Sequence, residues 1–204
     1  MMVKYVWSRL GVLGVCGVVL LFAAVQCSSK VDVKSMAVGA AAPNFTLKDV
    51  DGKDHSLESY KGKIVVLDFC SQECPYSRGS DEALIKIANE YKDKGVVFLG
   101  IDSNKKTTPA EIKEYAARTK IPYPILKDTG NALADEMGAS RTPEIYILDK
   151  DLKLAYHGAF DDRKKAETRG GRNYVRNALD DLLAGRPVKT AEVEPWGCTI
   201  KRAK

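Results

Sequence analysis

The feature that most restricts how this chain can fold is an unbroken apolar run that delivers a cysteine to the start of a helix. Residues 63–69 read Lys-Ile-Val-Val-Leu-Asp-Phe, a strand-length run rich in the branched residues that suit a pleated surface. Cys70-Ser71-Gln72-Glu73-Cys74-Pro75 follows directly, and then Tyr76, Leu84, Ile87, Ala88 and Tyr91 recur at multiples of a helical turn. Pro75 suits the first helical position, where no backbone N–H is needed. A cysteine at such a junction lies where unpaired amides and the positive end of the helix dipole converge. That environment favours thiolate, the form of the side chain that attacks. Chemistry is expected here.

The rest of the chain alternates strands with helices. Asp51-Gly52-Lys53 marks a turn between two short extended pieces, and residues 96–101 form a second continuous apolar strand. Thr108-Pro109-Ala110-Glu111 is a capping box opening a helix with Ile112, Tyr115 and Ala116 on one face. A short helix over 132–137 ends at Gly138, and strands over 145–148 and 152–156 flank the turn Asp149-Lys150-Asp151. A charged loop, 161–171, leads to a last helix with Tyr174, Val175, Ala178, Leu179, Leu182 and Leu183 as its stripe, closed by Gly185 and Pro187. This order predicts an α/β fold, a mixed β-sheet flanked by helices, with a C-terminal helix and tail. The organisation expected is a leader over 1–29, a linker over 30–42, a domain over 43–187 and an aperiodic tail over 188–204.

The leader resembles an address. Lys4 and Arg9 precede a charge-free apolar stretch over 10–25, and Cys27 follows Ala24-Val25-Gln26, a loose form of a lipoprotein cleavage box. A cleaved signal peptide, lipidation at Cys27 and an uncleaved anchor all fit; each puts the domain in the periplasm or cell envelope, with the membrane as partner through leader or lipid. Without the leader, 30 Lys and Arg face 27 Asp and Glu in mixed sign, which gives no one-sided basic patch for nucleic acid. Of five cysteines, Cys16 and Cys27 belong to the leader region, so Cys70, Cys74 and Cys198 remain. An odd set of three suits thiol exchange better than a stapled scaffold.

A strand ending in cysteine at a helix start, with Thr142-Pro143 about 70 residues on and ahead of another strand, resembles the thioredoxin fold. More narrowly, several segments resemble redoxin (peroxiredoxin-like) thioredoxin-family proteins of bacterial envelopes. They are Val38-Gly39-Ala40-Ala41-Ala42-Pro43-Asn44-Phe45-Thr46-Leu47, Cys74-Pro75-Tyr76, Arg141-Thr142-Pro143-Glu144 and His157-Gly158-Ala159-Phe160-Asp161-Asp162. Leu183-Ala184-Gly185-Arg186-Pro187-Val188 and Gly197-Cys198-Thr199-Ile200-Lys201 extend the likeness over roughly residues 38–201. The resemblance implies thiol–disulfide oxidoreductase activity, in an antioxidant or redox-homeostasis role, without cofactor or metal. Protein thiols or disulfides, a thiol reductant, or peroxide would be its partners. It also implies that Pro143 is cis beside the reactive sulfur, with Thr142 offering backbone groups to a partner.

Cys74 is the expected reactive thiol, with Arg78 one turn on and Glu73 opposing it. Its disulfide partner is left open between Cys70, across the turn, and Cys198, a resolving cysteine of the kind some peroxiredoxins carry near the C-terminus. The group usually has Cys-x-x-Cys-Pro; here Ser71 stands three before Cys74, and Cys70 is one residue earlier. Ser71 with Cys74 resembles the peroxiredoxin Thr/Ser-x-x-Cys core and implies a weak peroxide reductase as one alternative. Leu67 replaces the proline of that pattern, however, and Pro143 or Glu144 its arginine, with Arg141 only nearby. Cys70-x-x-x-Cys74-Pro75 also matches the spacing of copper-delivering relatives that bind Cu(I) through two cysteines and a histidine. His157 would have to supply the third ligand.

Overall fold

The computed structural model describes residues 35–202. The leader, with Cys16 and Cys27 and the readings attached to them, lies outside the described residues.

The apolar run becomes the central strand. Ile64–Phe69 (β3) is buried at all six positions, between Val96–Asp102 (β4), parallel to it, and Glu144–Leu148 (β7), antiparallel to it. Beyond β4 lies Ile125–Lys127 (β5), and beyond β7 lie Leu154–Gly158 (β8) and Glu192–Val193 (β9), giving the order β5-β4-β3-β7-β8-β9. A separate hairpin pairs Thr46–Lys48 (β1) with Asp54–Ser56 (β2), and Arg141–Thr142 (β6) pairs with Cys198–Thr199 (β10).

Side-chain alternation sends β3 into two cores. Ile64 and Val66 meet Leu84, Ile87 and Tyr91 of Pro75–Tyr91 (α1) and Val175 and Leu179 of Tyr174–Leu183 (α4). Val65, Leu67 and Phe69 face the other way, onto Phe45, Leu57, Leu152 and Ile200, and onto Leu133 and Met137 of Ala132–Met137 (α3). The same parity puts Asp68 and Cys70 on the α1 side of the sheet. Pro109–Thr119 (α2) covers β5 and begins with the expected capping box: Thr108 Oγ1 accepts from the Glu111 amide, and Glu111 returns to the Thr108 amide. Gly138, at φ 76°, closes α3.

Three segments differ from the sequence expectation. The strand expected over 152–156 starts two residues later, because Leu152 takes φ 61° in the turn. The described part of the linker is tied to the domain: Gly39 N donates to Leu154 O at 2.7 Å and Ala42 N to Leu152 O at 3.0 Å. The tail, aperiodic in sequence, supplies both β9 and β10 and buries Ile200 in the core at 3% exposure.

Candidate active site

Cys74 is the N-cap of α1. Its backbone is extended (φ −91°, ψ 117°), and Pro75 occupies the first turn. The loop out of β3 folds onto itself to place it: Cys74 N donates to Ser71 O at 3.1 Å, Glu73 N to Ser71 Oγ at 3.2 Å, and Ser71 N to Ser77 Oγ at 3.1 Å. The Ser77 amide, one of the helix's unpaired donors, points at Cys74 Sγ from 3.5 Å. On the other side the Cys74 thiol donates to Thr142 O at 2.9 Å. The Thr142–Pro143 bond is cis. Cys74 is only 2% exposed.

The tail runs alongside it. In the β6–β10 ladder Cys198 lies opposite Thr142 and Thr199 opposite Arg141. Trp196 packs on Tyr76 with ring centroids 5.6 Å apart, and its Nε1 donates to Asp161 O at 2.9 Å. Farther along, Ile200 N donates to Ser140 O at 3.0 Å, Lys201 N to Asn104 Oδ1 at 2.8 Å, and Arg202 Nε to Asp135 at 2.7 Å. Cys198 lies near enough to Cys74 and to the Tyr76 amide for both to act on its ionisation. Its pKa is pushed up to about 11, first by burial, then by the bond to Cys74 and by Cys74's charge. Cys74 and Cys198, with Ser71, Glu73, Asn104 and Thr142, line a cavity of about 110 Å³.

Cys70 belongs to a different place. It lines a cavity of about 10 Å³ with Asp68, Asp81, Tyr115 and Tyr123, under α1 and α2, and a Cβ on Gly100 would sit 3.3 Å from its sulfur. Burial drives the Cys70 thiol well above its ordinary range, and the Asp68, Asp102 and Asp81 carboxylates add to this. Burial also lifts Asp68 to about 8, aided by the charge of Asp81; among the described residues Asp68 Oδ1 has no hydrogen-bond partner. Asp81 is raised by burial to about 6, against the bond from Tyr115 and the charge of Arg78.

The expected residues therefore separate. Cys74, Ser71, Thr142, Pro143 and Cys198 come together; Cys70 does not join them, since strand parity turns it to the opposite side of the loop. His157 is likewise committed elsewhere: its Nε2 meets Glu144 Oε1 at 2.7 Å, and its ring lies 4.4 Å from that of Tyr146. The copper triad of Cys70, Cys74 and His157 is not assembled, and among the described residues no group of three or more His, Cys, Asp or Glu is arranged to hold a metal. Arg141 is also turned away from Cys74, its Nη1 donating to Thr199 Oγ1 at 3.0 Å.

Two contributors escaped the sequence reading. Ser77, three residues after Cys74, is buried where a Cys-x-x-Cys motif would carry its second thiol; its signal was that spacing counted forward from Cys74. Glu144 is buried at 1% exposure immediately after Pro143. It accepts from the Ser140 and Arg141 amides at 2.8 and 2.7 Å and from Tyr146 Oη at 3.0 Å, besides meeting His157. Burial raises its pKa, but the His157 bond and the two amides outweigh that and hold the carboxyl below the usual range. Glu144 thus anchors both ends of the β6 turn, and its signal was a lone acid opening an apolar strand.

Comparison with known proteins places the chain in a family. The AhpC/TSA family matches residues 38–157. The chain is 29% identical over 130 residues to thiol-disulfide oxidoreductase ResA of Bacillus thuringiensis (strain Al Hakam), covering 60% of this chain and 70% of that protein. It is 33% identical over 136 residues to chloroplastic peroxiredoxin Q of Gentiana triflora, covering 62% of this chain and 61% of that one. The crystal structure of a hypothetical protein from Sinorhizobium meliloti 1021 superposes with TM-score 0.78 at 29% identity, over 83% of this chain and 97% of that chain.

Proposed function

This chain belongs to the AhpC/TSA family, as a redoxin oxidoreductase similar to ResA and peroxiredoxin, and from that premise we propose thiol–disulfide exchange with Cys74 as the attacking thiol and Cys198 as the resolving one. One observation carries the reading: the Cys74 thiol donates to Thr142 O at 2.9 Å, the β6–β10 ladder sets Cys198 opposite that same Thr142, and the two cysteines line one cavity at the N-terminus of α1.

The cycle follows from that arrangement. Cys74 thiolate attacks a partner disulfide, one S–S bond forms as another breaks, and the partner leaves as a thiolate. The mixed disulfide takes away Cys74's charge and its thiol, two of the three causes that raise Cys198, and so makes Cys198 easier to ionise. Cys198 then loses its proton, attacks Cys74 Sγ, and releases the second partner thiol. The resulting Cys74–Cys198 disulfide holds the two electrons' worth of oxidation until an external thiol reductant reopens it. Thr142 and Pro143 shape the wall behind the sulfur, and Ser71 and Ser77 keep the loop closed.

Exchange is favoured over peroxide reduction because neither nearby arginine bonds to Cys74: Arg141 serves Thr199, and exposed Arg78 acts on Asp81. The apolar stretch over 10–25 supports a site of action outside the cytoplasm. In a coupled assay with a thiol reductant and a protein disulfide, Cys74→Ser should abolish turnover, and Cys198→Ser should stall with partner bound to Cys74. Full turnover by Cys74→Ser would defeat the proposal.

A further inference from the structure

The protein's own tail runs beside buried Cys74, with Cys198 paired to the Thr142 whose carbonyl takes the Cys74 thiol, and its seating describes a substrate. The β6 edge pairs only with β10 in the described sheets, over two residues. The space left beside the two sulfurs, about 110 Å³, admits a few waters and no polypeptide. A protein disulfide therefore reaches Cys74 only by taking the place of the tail. Adding an extended segment to an open edge, with the ladder for affinity and neighbouring side chains for selectivity, is a general mode of peptide recognition.

The seated tail shows what that edge accepts. Gly197 lies flush on the cis-proline turn: a Cβ there would fall 2.2 Å from Thr142 O and 3.3 Å from Pro143 Cδ, and φ is +128°. Both conditions demand glycine. One residue later Cys198 lies opposite Thr142, whose carbonyl takes the Cys74 thiol, and after it the Thr199 hydroxyl accepts from the Arg141 guanidinium at 3.0 Å. We propose that the Arg141–Thr142 edge is a docking site for an extended polypeptide segment carrying Gly-Cys followed by a hydroxyl residue, and that Gly197-Cys198-Thr199 is its built-in occupant. This rests on Cys74 being the attacking thiol. In the docked complex Cys74 thiolate attacks the segment's cysteine, the S–S bond to that cysteine's former partner breaks, and the partner departs as a thiolate with the electron pair.

The full chain carrying Cys198→Ser retains its tail and accumulates the mixed disulfide. Three probes are compared on it: Pro-Trp-Gly-Cys-Thr-Ile-Lys and Pro-Trp-Val-Cys-Thr-Ile-Lys, each activated as a thionitrobenzoate disulfide, and Ellman's reagent. The glycine peptide is expected to load Cys74 about tenfold faster than the valine peptide. Adding Trp196→Ala, which removes the Tyr76 contact and the bond to Asp161 O, should raise both peptide rates about tenfold by freeing the edge while preserving the glycine preference. Equal rates for the two peptides in the Cys198→Ser protein overturn the docking inference, whether or not the second variant folds. If Ellman's reagent modifies Cys74 while the peptides are not distinguished, docking alone fails. If Cys74 ignores Ellman's reagent in both proteins, the exchange reading fails and the docking inference with it.

Discussion

Replacing Cys74 by serine should make Cys198 easier to ionise, and by how much follows from the site. Cys198 is pushed up to about 11 from an ordinary value of 9.0. Total removal of its perturbations would thus raise its thiolate fraction about 100-fold at any pH below both values. Serine removes the charge of Cys74 and its sulfur hydrogen bond but leaves burial, the largest cause. The expected gain is therefore about tenfold, equivalent to a fall of about one pH unit in the midpoint. Iodoacetamide alkylation from pH 7 to 11, with the tail peptide quantified by mass spectrometry, reads that midpoint; the Cys70 peptide, from the other side of the loop, serves as internal reference. Superimposable Cys198 profiles in the wild type and Cys74→Ser would show that the two thiols do not sense each other, and the coupling argued here would be wrong.

Asp68→Asn should change how stability depends on pH. The native state holds a proton on Asp68 up to about 8, whereas an unfolded Asp releases it near 4, so the wild type loses up to about 1.4 kcal/mol per pH unit across that window and the variant does not. Urea melts at pH 5 and 7.5 test this, and parallel changes in both proteins would contradict it. Glu144→Gln should cost about 2 kcal/mol at pH 7 through loss of charge-assisted bonds. Because the native Glu144 pKa is lowered, the difference between the proteins should shrink as pH falls below about 4, measurable by the same melts. Ile200→Ala should destabilise by about 3 kcal/mol, and the tail amides should lose hydrogen-exchange protection more than the β3 amides do.

The sequence revealed those parts of the fold that are built from local repetition. The apolar run over 63–69 appears as Ile64–Phe69, the Thr108 box caps its helix, and the stripe beginning at Tyr174 defines the last helix. Strands β5, β9 and β10 were missed because two or three residues hold no period; tertiary partners alone place them. The tail was opaque for the same reason, since Trp196, Cys198, Ile200 and Arg202 each answer to a different element. At the site, Cys74 and Pro143 could be found from position and family likeness. The proposed preference for Cys198 over Cys70 could not, because it rests on strand parity at Phe69 and on which loop the tail crosses. Ser77 and Glu144 are ordinary residues in the sequence and acquire meaning only beside a sulfur and a cis-proline turn.

The central claim is that Cys74 and Cys198 form the working pair. Peptide mapping of the oxidised full-length protein under non-reducing conditions tests it most directly. The account predicts one disulfide joining the Cys74 and Cys198 peptides, with Cys70 recovered as free thiol; a Cys70–Cys74 bridge with Cys198 free would contradict it.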